Sequence, residues 1–227
     1  MNNDIKSIEL FNNIADSFEK ELFEVSKIVK YSKGSNPFYP EDLLKYFYIV
    51  VSGRIKTYQI NFDNDKEQIL FVYKKGDMFD IISLLDNKPH EVVFEVFEDC
   101  SVLEIPIDRV REWIYTNPTF NRKFFPYLAS TMRHTEQLAT DISLYDTKDR
   151  LINLLLDNVD PNNHFKYKLL QGLSNSEIAK LLGTVRHVVE RTLKQLKDDN
   201  IIQKSKKNIQ ILNFEKLLDK TSRMLLK

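Results

Sequence analysis

The segment 173–196 constrains the fold most, because it combines a helix start, a tight turn and a second helix in one run. Ser174, followed three residues later by Glu177, matches the capping-box pattern that begins a helix. Gly183 suits the left-handed residue that ends such a helix, and Thr184 is a candidate N-cap for the next one. The spacing therefore predicts a helix-turn-helix.

The second of these helices has one apolar face and one polar face. Its apolar residues, which we expect to be buried, are Val188, Val189, Leu193 and Leu196. Its polar residues, which we expect to meet DNA, are Arg186, His187, Glu190, Arg191 and Lys194. Arginine can pair with both O6 and N7 of guanine, and glutamate accepts from N4 of cytosine. A helical hairpin with a merely solvated charged face is the alternative.

A short β-hairpin is predicted after the second helix. Two strand-like runs, 201–204 and 208–212, flank the turn Ser205-Lys206-Lys207. Lysines at such a tip can contact backbone phosphate. Ser174 and Thr184, at the starts of the two helices, and Lys206 and Lys207 complete the predicted set of DNA contacts. The pattern therefore predicts a winged helix-turn-helix.

Charge is divided unevenly along the chain. Of 33 basic and 33 acidic residues, 16 and 9 lie from Thr147 onward, whereas 17 and 24 precede it. The C-terminal part is therefore basic and the N-terminal part acidic, although the whole chain is neutral. This asymmetry indicates that the C-terminal part meets nucleic acid phosphate, with chance unevenness as the alternative.

The N-terminal half has the texture of a small β-roll preceded by a helix. Apolar residues at spacings of three and four predict a helix over 7–29. Several short runs rich in β-branched and aromatic residues then alternate with turn formers. These runs are 46–51, 68–73 and 92–97. Regularly spaced short strands predict a roll or small barrel, which we expect to end near Ile107.

A long helix is predicted between the roll and the helix-turn-helix. Pro118 is tolerated in its first turn, and Pro126 is expected to kink or delay the helix near Phe125. An a/d seam over three heptads favours pairing with a second copy of the chain, with packing on its own domain as the alternative. The predicted dimer interface consists of Phe124, Leu128, Thr131, Thr135, Leu138, Ile142 and Tyr145.

Four segments, in the right order, resemble the Crp/Fnr superfamily of bacterial regulators over nearly the whole chain. Residues 48–55 resemble the strand pair "YIVxxGxV", and residues 76–90 resemble the cassette "GDxFGExxLLxxxP". Residues 144–156 resemble the hinge after the dimer helix, and residues 183–202 resemble "GTxREVVSRxLxxLExxGLI".

The resemblance implies an α+β fold in three parts and a function as a homodimeric transcription regulator of palindromic promoter sites. We expect a β-roll sensor domain of the cyclic-nucleotide-binding type, a double-stranded β-helix, over 1–116. A dimerisation helix is expected over 117–146, and a winged helix-turn-helix over 147–227. An activator of this kind also has RNA polymerase as a partner.

The cassette departs from the cyclic-AMP-binding members of the family. Where those members have Gly-Glu and then Arg, this chain has Asp80-Ile81 and Glu91. The resemblance assigns the glutamate to the ribose hydroxyl and the arginine to the cyclic phosphate. Isoleucine accepts no hydrogen bond and Glu91 would repel the phosphate, so we expect an effector other than cyclic AMP. The tentative effector pocket consists of Ile81, Ile82, Leu84, Glu91, Val92, Thr131 and Thr135.

The cysteine and histidine content limits which other kinds of sensor the roll can be. Cys100 is the one cysteine, which excludes the cysteine cluster of an iron–sulfur sensor and any structural zinc site. Haem ligation through His90 or His134 stays open, although a structural role is favoured for both. We therefore expect the effector to be haem, nitric oxide or another small molecule.

Two other classes of protein compete with a regulator. A cyclic-nucleotide-type module acting through protein partners would have no use for a base-reading helix. A cupin-like enzyme would need clustered histidine and carboxylate ligands, which are missing, and no catalytic motif is present. With no signal peptide and no run near the ~18 apolar residues of a membrane span, we expect a cytoplasmic protein without a membrane partner.

Overall fold

A computed structural model describes residues 8, 11, 16–159, 170–205 and 208–222. These residues form two compact units. Unit 1 comprises residues up to Gln59 together with Leu70–Arg133, and unit 2 comprises Ile60–Ile69 and the residues from His134. The long helix over Pro118–Leu144 therefore contributes to both units. The same is true of two consecutive strands, one ending at Asn61 and the next beginning at Lys66.

Unit 1 is a β-roll flanked by helices. Its elements are α1 (Asp16–Val25), β1 (Lys27–Tyr31), α2 (Pro40–Leu43), β2 (Tyr46–Asn61), β3 (Lys66–Tyr73), β4 (Met78–Phe79), α3 (Ile81–Asp86), β5 (Val93–Pro106) and α4 (Ile107–Thr116). The strand order is β1–β5–β2–β3, and β4 pairs with β2. The predicted roll is thereby confirmed, and its last strand ends one residue before Ile107.

The predicted N-terminal helix is too long at its C-terminal end. Helix α1 ends at Val25, and β1 starts two residues later. Ile28 and Val29 are antiparallel partners of Leu103 and Val102 on β5. Their β-branched side chains suit a strand, so pairing with a distant strand overrides the local helical spacing.

The apolar core of unit 1 has two clusters of buried side chains. In the first, Trp113 of α4 packs edge-on against Phe18 of α1, with ring centroids 4.9 Å apart. The Trp113 indole nitrogen donates to Glu21 Oε1 at 2.9 Å, so its polar atom is also satisfied. In the second cluster, Phe38 contacts the rings of Phe79 and three further aromatic side chains.

The pairing of β2 with β5 is irregular around Gly53, where the register shifts repeatedly. Gly53 has a φ of +77°, and a Cβ added there would lie 2.3 Å from the carbonyl oxygen of Asp99 and 2.7 Å from Cα of Cys100. Only glycine therefore fits. The next residue, Arg54, forms a two-pronged ion pair with Glu98 at 2.9 and 2.7 Å, which holds the strands together beside this close approach.

Unit 2 contains the C-terminal helices and a hairpin. Its elements are the second half of α5 (Pro118–Leu144), followed by α6 (Thr147–Asp157), α7 (Asn175–Leu181), α8 (Arg186–Asp198), β6 (Ile202–Ser205), β7 (Asn208–Ile211) and α9 (Phe214–Leu218). Helix α5 starts at Pro118 and continues through Pro126, so the predicted delay is wrong. Ser205 pairs with Asn208, which confirms the predicted hairpin. No helix in the described ranges is long and apolar enough to cross a membrane.

The end of the β2–β3 hairpin also belongs to unit 2 and contacts α7. Lys180 donates to Glu67 Oε2 at 2.6 Å, and Gln68 Nε2 donates to the carbonyl oxygen of Leu181 at 3.0 Å. A Cβ added at Gly183 would lie 2.6 Å from Gln68 Oε1. The hairpin end therefore packs closely over the last turn of α7.

Replacing Gly53 with alanine should destabilise the roll by at least about 2 kcal/mol, because backbone strain is added to a clash with backbone atoms. Gly34 is the matched control, since its φ of +81° is similar but nothing lies within 4 Å of an added Cβ. Gly34→Ala should cost only about 1 kcal/mol. Chemical denaturation measures the free energy of unfolding of both variants. Equal losses of this free energy would contradict a steric requirement for glycine at position 53.

Candidate functional site

Helix α7 is held at its start by the predicted capping box. Ser174 is the N-cap, and its side chain accepts from the backbone N–H of Glu177. The Glu177 carboxylate accepts in return from the backbone N–H of Ser174 at 2.7 Å. Two N–H groups that a helix start leaves unpaired are thereby satisfied, and the capping-box prediction is confirmed.

The turn between α7 and α8 is closed by backbone hydrogen bonds around Gly183. Gly183 has a φ of +62°, and its N–H points to the carbonyl of Lys180 at 3.5 Å. The N–H of Thr184 donates to the carbonyl of Ala179 at 2.9 Å. This pair of bonds is a Schellman motif, which confirms the predicted left-handed end of the first helix.

Thr184 does not cap the second helix, which corrects the sequence-based prediction. The N-cap of α8 is Val185, and it makes no side-chain capping bond. The turn explains the difference, because the Thr184 N–H is committed to closing α7 and the chain needs one more residue to enter α8. The N-cap side chain of α8 therefore offers no acceptor to the N–H groups of the first turn.

The two faces of α8 are as predicted. Val189, Leu193 and Leu196 are almost fully buried, whereas Val188 is only half-buried. The polar face is exposed at Arg186, His187, Arg191 and Lys194. Among the residues that the structure describes, Arg191, His187 and Lys194 have no ion-pair partner. These three side chains are therefore free to meet a ligand.

Glu190 differs from the other polar residues of α8 because its carboxylate is already bonded. Its Oε1 accepts from Arg186 Nε at 2.7 Å and from Asn175 Nδ2 at 3.2 Å. The bonds from Arg186 and then from Asn175 hold the pKa of Glu190 below its ordinary value. Asn175 Oδ1 accepts in turn from the ammonium of Lys204 on β6, and burial lowers the pKa of that lysine.

The predicted wing-tip contacts, Lys206 and Lys207, lie outside the described residues. The flanking strands β6 and β7 are described, and their register runs from Ile202 opposite Ile211 to Ser205 opposite Asn208. Lys204, which the sequence reading did not single out, is the basic residue of β6 that reaches the helix-turn-helix.

In the β-roll, the cassette around α3 is held by the chain's own hydrogen bonds. Asp80 is buried, and its carboxylate accepts from the N–H of Ile82 at 3.1 Å, from Ser83 Oγ at 2.9 Å and from His90 Nδ1 at 2.7 Å. At the other end of α3, Arg111 donates to the carbonyl of Leu84 at 3.0 Å. Both ends of the cassette helix are thus fixed.

The residues of the predicted effector pocket differ widely in burial. Ile81 and Leu84 are buried in the first core cluster, and Val92 is buried in the second. Ile82 and Glu91 are exposed. Thr131 is half-buried and donates to the carbonyl of Tyr127 at 3.1 Å, while Thr135 is exposed on α5.

The histidines considered for haem occupy different settings. His90 bonds to Asp80 through Nδ1, whereas His134 is exposed on α5. Within the described ranges no group of three or more histidine, cysteine or carboxylate side chains is placed to hold a metal ion. The geometry assigns His90 a structural role in the cassette.

One residue of the predicted dimer seam is placed elsewhere. Phe124 is fully buried in the first core cluster and stacks on Phe120, with centroids 5.4 Å apart. A side chain packed in its own core is not available to a second copy, so Phe124 does not belong to the predicted seam. Further along α5, Leu138 is half-buried and Ile142 is 49% exposed.

Sequence reasoning missed the pairing of Asp80 with His90 and the bonds of Asn175 and Lys204. The first had a local signal, because Asp80 precedes the apolar run of α3 and Ser83 follows at capping distance. The contact of Asn175 with Lys204 joins positions 29 residues apart, and no local pattern predicts it.

A capped helix, a left-handed turn, an exposed basic second helix and a wing hairpin define a DNA-binding transcription regulator. Comparison with family models agrees with this class. The cyclic nucleotide-binding domain matches residues 28–117, and the Crp-like helix-turn-helix domain matches residues 149–220. The chain belongs to the Crp/Fnr family of transcription regulators.

Relatives of known name are similar along nearly the whole chain. A probable transcriptional regulator flp of Lacticaseibacillus casei is 26% identical over 212 residues, which cover 93% of this chain and 95% of that protein. A CRP-like cAMP-activated global transcriptional regulator of Mycobacterium tuberculosis is 23% identical over 211 residues, with 92% and 94% covered.

Solved structures show the same fold. FixK2 from Bradyrhizobium japonicum superposes with a TM-score of 0.76 at 21% identity, covering 88% of this chain and all of that one. A mutant of CooA from Carboxydothermus hydrogenoformans gives a TM-score of 0.77 at 21% identity, covering 93% and 94%.

The bond between His90 and Asp80 predicts a pH-dependent contribution to stability. The bond raises the pKa of His90 above its ordinary value, and burial opposes this only in part. A histidine whose pKa is raised on folding contributes stability to the folded state. This contribution is fully present below the ordinary histidine pKa of about 6.5 and is lost as pH rises through the raised value.

His90→Gln should therefore lower the melting temperature more at pH 5.5 than at pH 8.5, when each is compared with the parent chain at the same pH. His134→Gln is the control, because it removes a histidine from the exposed surface of α5. A deficit for His90→Gln that is equal at both pH values would contradict a charged pair.

Proposed function

We propose that this chain acts in the cytoplasm as a homodimer that binds palindromic DNA through α8, under the control of an effector other than cyclic AMP. The observation that supports it most is the polar face of α8, where Arg191, His187 and Lys194 are exposed and without ion-pair partners among the described residues. A helix with exposed arginine, histidine and lysine side chains on one face suits the major groove.

Base recognition is assigned to Arg191 first. In the resembled family an arginine at this position reads a guanine, and Arg191 is free to pair with O6 and N7. His187 stands where relatives carry a glutamate that accepts from cytosine N4. An imidazole ring does not offer the two acceptor oxygens of a carboxylate, so the preference at this base pair should differ from the usual half-site.

Dimerisation is assigned to α5 beyond Phe124. Ile142 of the predicted seam and two other apolar residues of this helix are exposed. The exposed fractions are 65% for Met132, 49% for Ile142 and 73% for Leu144. Two copies related by a two-fold axis would present two α8 helices, so the half-sites should lie one helical turn apart, about 34 Å.

The effector is proposed to be a small molecule other than cyclic AMP. Ile81, at the family's ribose-binding position, is buried in the apolar core, and Glu91, at the phosphate-binding position, is exposed. An isoleucine accepts no hydrogen bond from a ribose hydroxyl and a carboxylate repels a phosphate, which supports an effector other than cyclic AMP. Haem stays a less favoured alternative; His90 is bonded to Asp80 through Nδ1, so only its Nε2 could serve as a ligand atom.

Arg191→Ala should cost about 1–3 kcal/mol of specific binding and relax the preference at one base pair in each half-site. Lys197→Ala is the matched control, since it removes a positive charge from an exposed position near the end of the same helix. Selection from random duplexes with parent and variants measures both effects. If the parent selects no inverted repeat, α8 does not read bases in a palindrome. If Arg191→Ala selects the same motif as the parent, Arg191 does not read a base.

Leu138→Lys should break the dimer, because two unpaired charges would be buried near a two-fold axis at a cost of several kcal/mol. Glu136→Lys introduces the same side chain at an exposed position outside the seam and should leave the dimer intact. Sedimentation of the three proteins tests this. A dimeric Leu138→Lys protein would contradict the assigned seam.

Millimolar cyclic AMP should not change the melting temperature of the parent chain. A ligand that binds the folded state at 100 times its Kd would stabilise it by about 2.7 kcal/mol, which is readily seen. Non-cyclic adenosine monophosphate serves as the control for unspecific effects. A clear shift with the cyclic nucleotide alone would refute the assignment of the cassette.

A further inference from the structure

The polar network around Glu190 joins three elements of the helix-turn-helix. Arg186 and Glu190 lie one turn apart on α8, Asn175 is the first residue of α7, and Lys204 lies on β6. The bonds run from Lys204 to Asn175, from Asn175 to Glu190 and from Arg186 to Glu190. The Glu190 carboxylate is thereby held by Asn175 and in turn holds the exposed side chain of Arg186.

The two arginines of α8 consequently differ in availability, although both are exposed. Arg191 has no ion-pair partner among the described residues, whereas Arg186 is tied to Glu190 through Nε at 2.7 Å. Because the bond uses Nε, the two terminal nitrogens of Arg186 remain to pair with O6 and N7 of a guanine. The bond restricts the side chain to one orientation along the helix.

The pair also lowers the net charge that this part of α8 presents to DNA. Unspecific binding depends almost wholly on cations that neutralise phosphates, and a cation already paired with a carboxylate contributes less to it. A fixed, neutralised arginine is therefore poorly suited to following any phosphate backbone, but well suited to a base edge in a defined position.

We propose that Glu190 is a positioning residue for DNA selection: it orients Arg186 for base recognition and withholds its charge from indiscriminate phosphate binding. This inference rests on the proposed binding of DNA through α8. It differs from the sequence-based expectation that Glu190 itself reads a cytosine or an adenine, since its carboxylate is bonded to Arg186 and Asn175.

The test compares the full-length parent with Glu190→Gln on two duplexes, the selected palindrome and a random sequence, across a range of salt concentrations. Glu190→Gln should bind random DNA about three- to tenfold more tightly at low salt, and its salt dependence should steepen by about one unit, as for one added phosphate contact. Binding to the palindrome should gain less, so the ratio of specific to random affinity should fall.

Two further variants separate positioning from a general charge effect. Asp198→Asn also removes one negative charge from α8, but about 18 Å along the helix from Arg186 by the rise per residue, and it should leave the specificity ratio near that of the parent. In an Arg186→Gln background, Glu190→Gln should give a clearly smaller gain on random DNA. Melting temperatures verify that each variant is folded.

Results of three kinds would overturn the proposal. An equal gain for Asp198→Asn, or an undiminished gain without Arg186, would show that charge alone acts. A lost base preference in Glu190→Gln with unchanged affinity for random DNA would make Glu190 a direct base reader. Absence of salt-dependent DNA binding by the parent would overturn the proposed function together with this inference, whereas results of the first two kinds leave that function intact.

Discussion

The left-handed turn at Gly183 sets which side chains of α8 face outward. It ends α7 through two backbone bonds and lets α8 begin only two residues after Thr184. With that register, Val189 and Leu193 lie in the core while Arg191 and Lys194 stay at the surface. A change in the length of this turn that shifted the register would rotate α8 by about 100° per residue and turn its apolar face away from the core.

Local sequence signals predicted the parts of the fold that depend on a few neighbouring residues. The capping box of Ser174 and Glu177 and the left-handed Gly183 need only three or four positions, and both predictions are confirmed. Val29 was misassigned because its strand partner Val102 lies far along the chain. Phe124 matched the seam by spacing alone, and periodicity does not tell a partner's core from the chain's own.

The site was predictable to a similar extent and for the same reason. The residues that α8 exposes follow from its apolar stripe, so Arg186, His187 and Arg191 were identified from periodicity. The hydrogen bonds around this face could not be predicted, because Glu190 is bonded by Asn175 from another helix, and Asn175 in turn by Lys204 from the wing strand. In the cassette, the sequence assigned no partner to Asp80, but a buried carboxylate needs partners and finds them in Ser83 and His90.

The close approach of β2 and β5 at Gly53 also has a chemical consequence for the one thiol of the chain. Cys100 lies directly beneath this glycine, is only 4% exposed, and burial raises the pKa of its thiol to about 11. Peroxides and alkylating agents react with the thiolate form, which is scarce at neutral pH under these conditions. Cys100 is therefore poorly suited to sense oxidants, in contrast to an exposed thiol of low pKa.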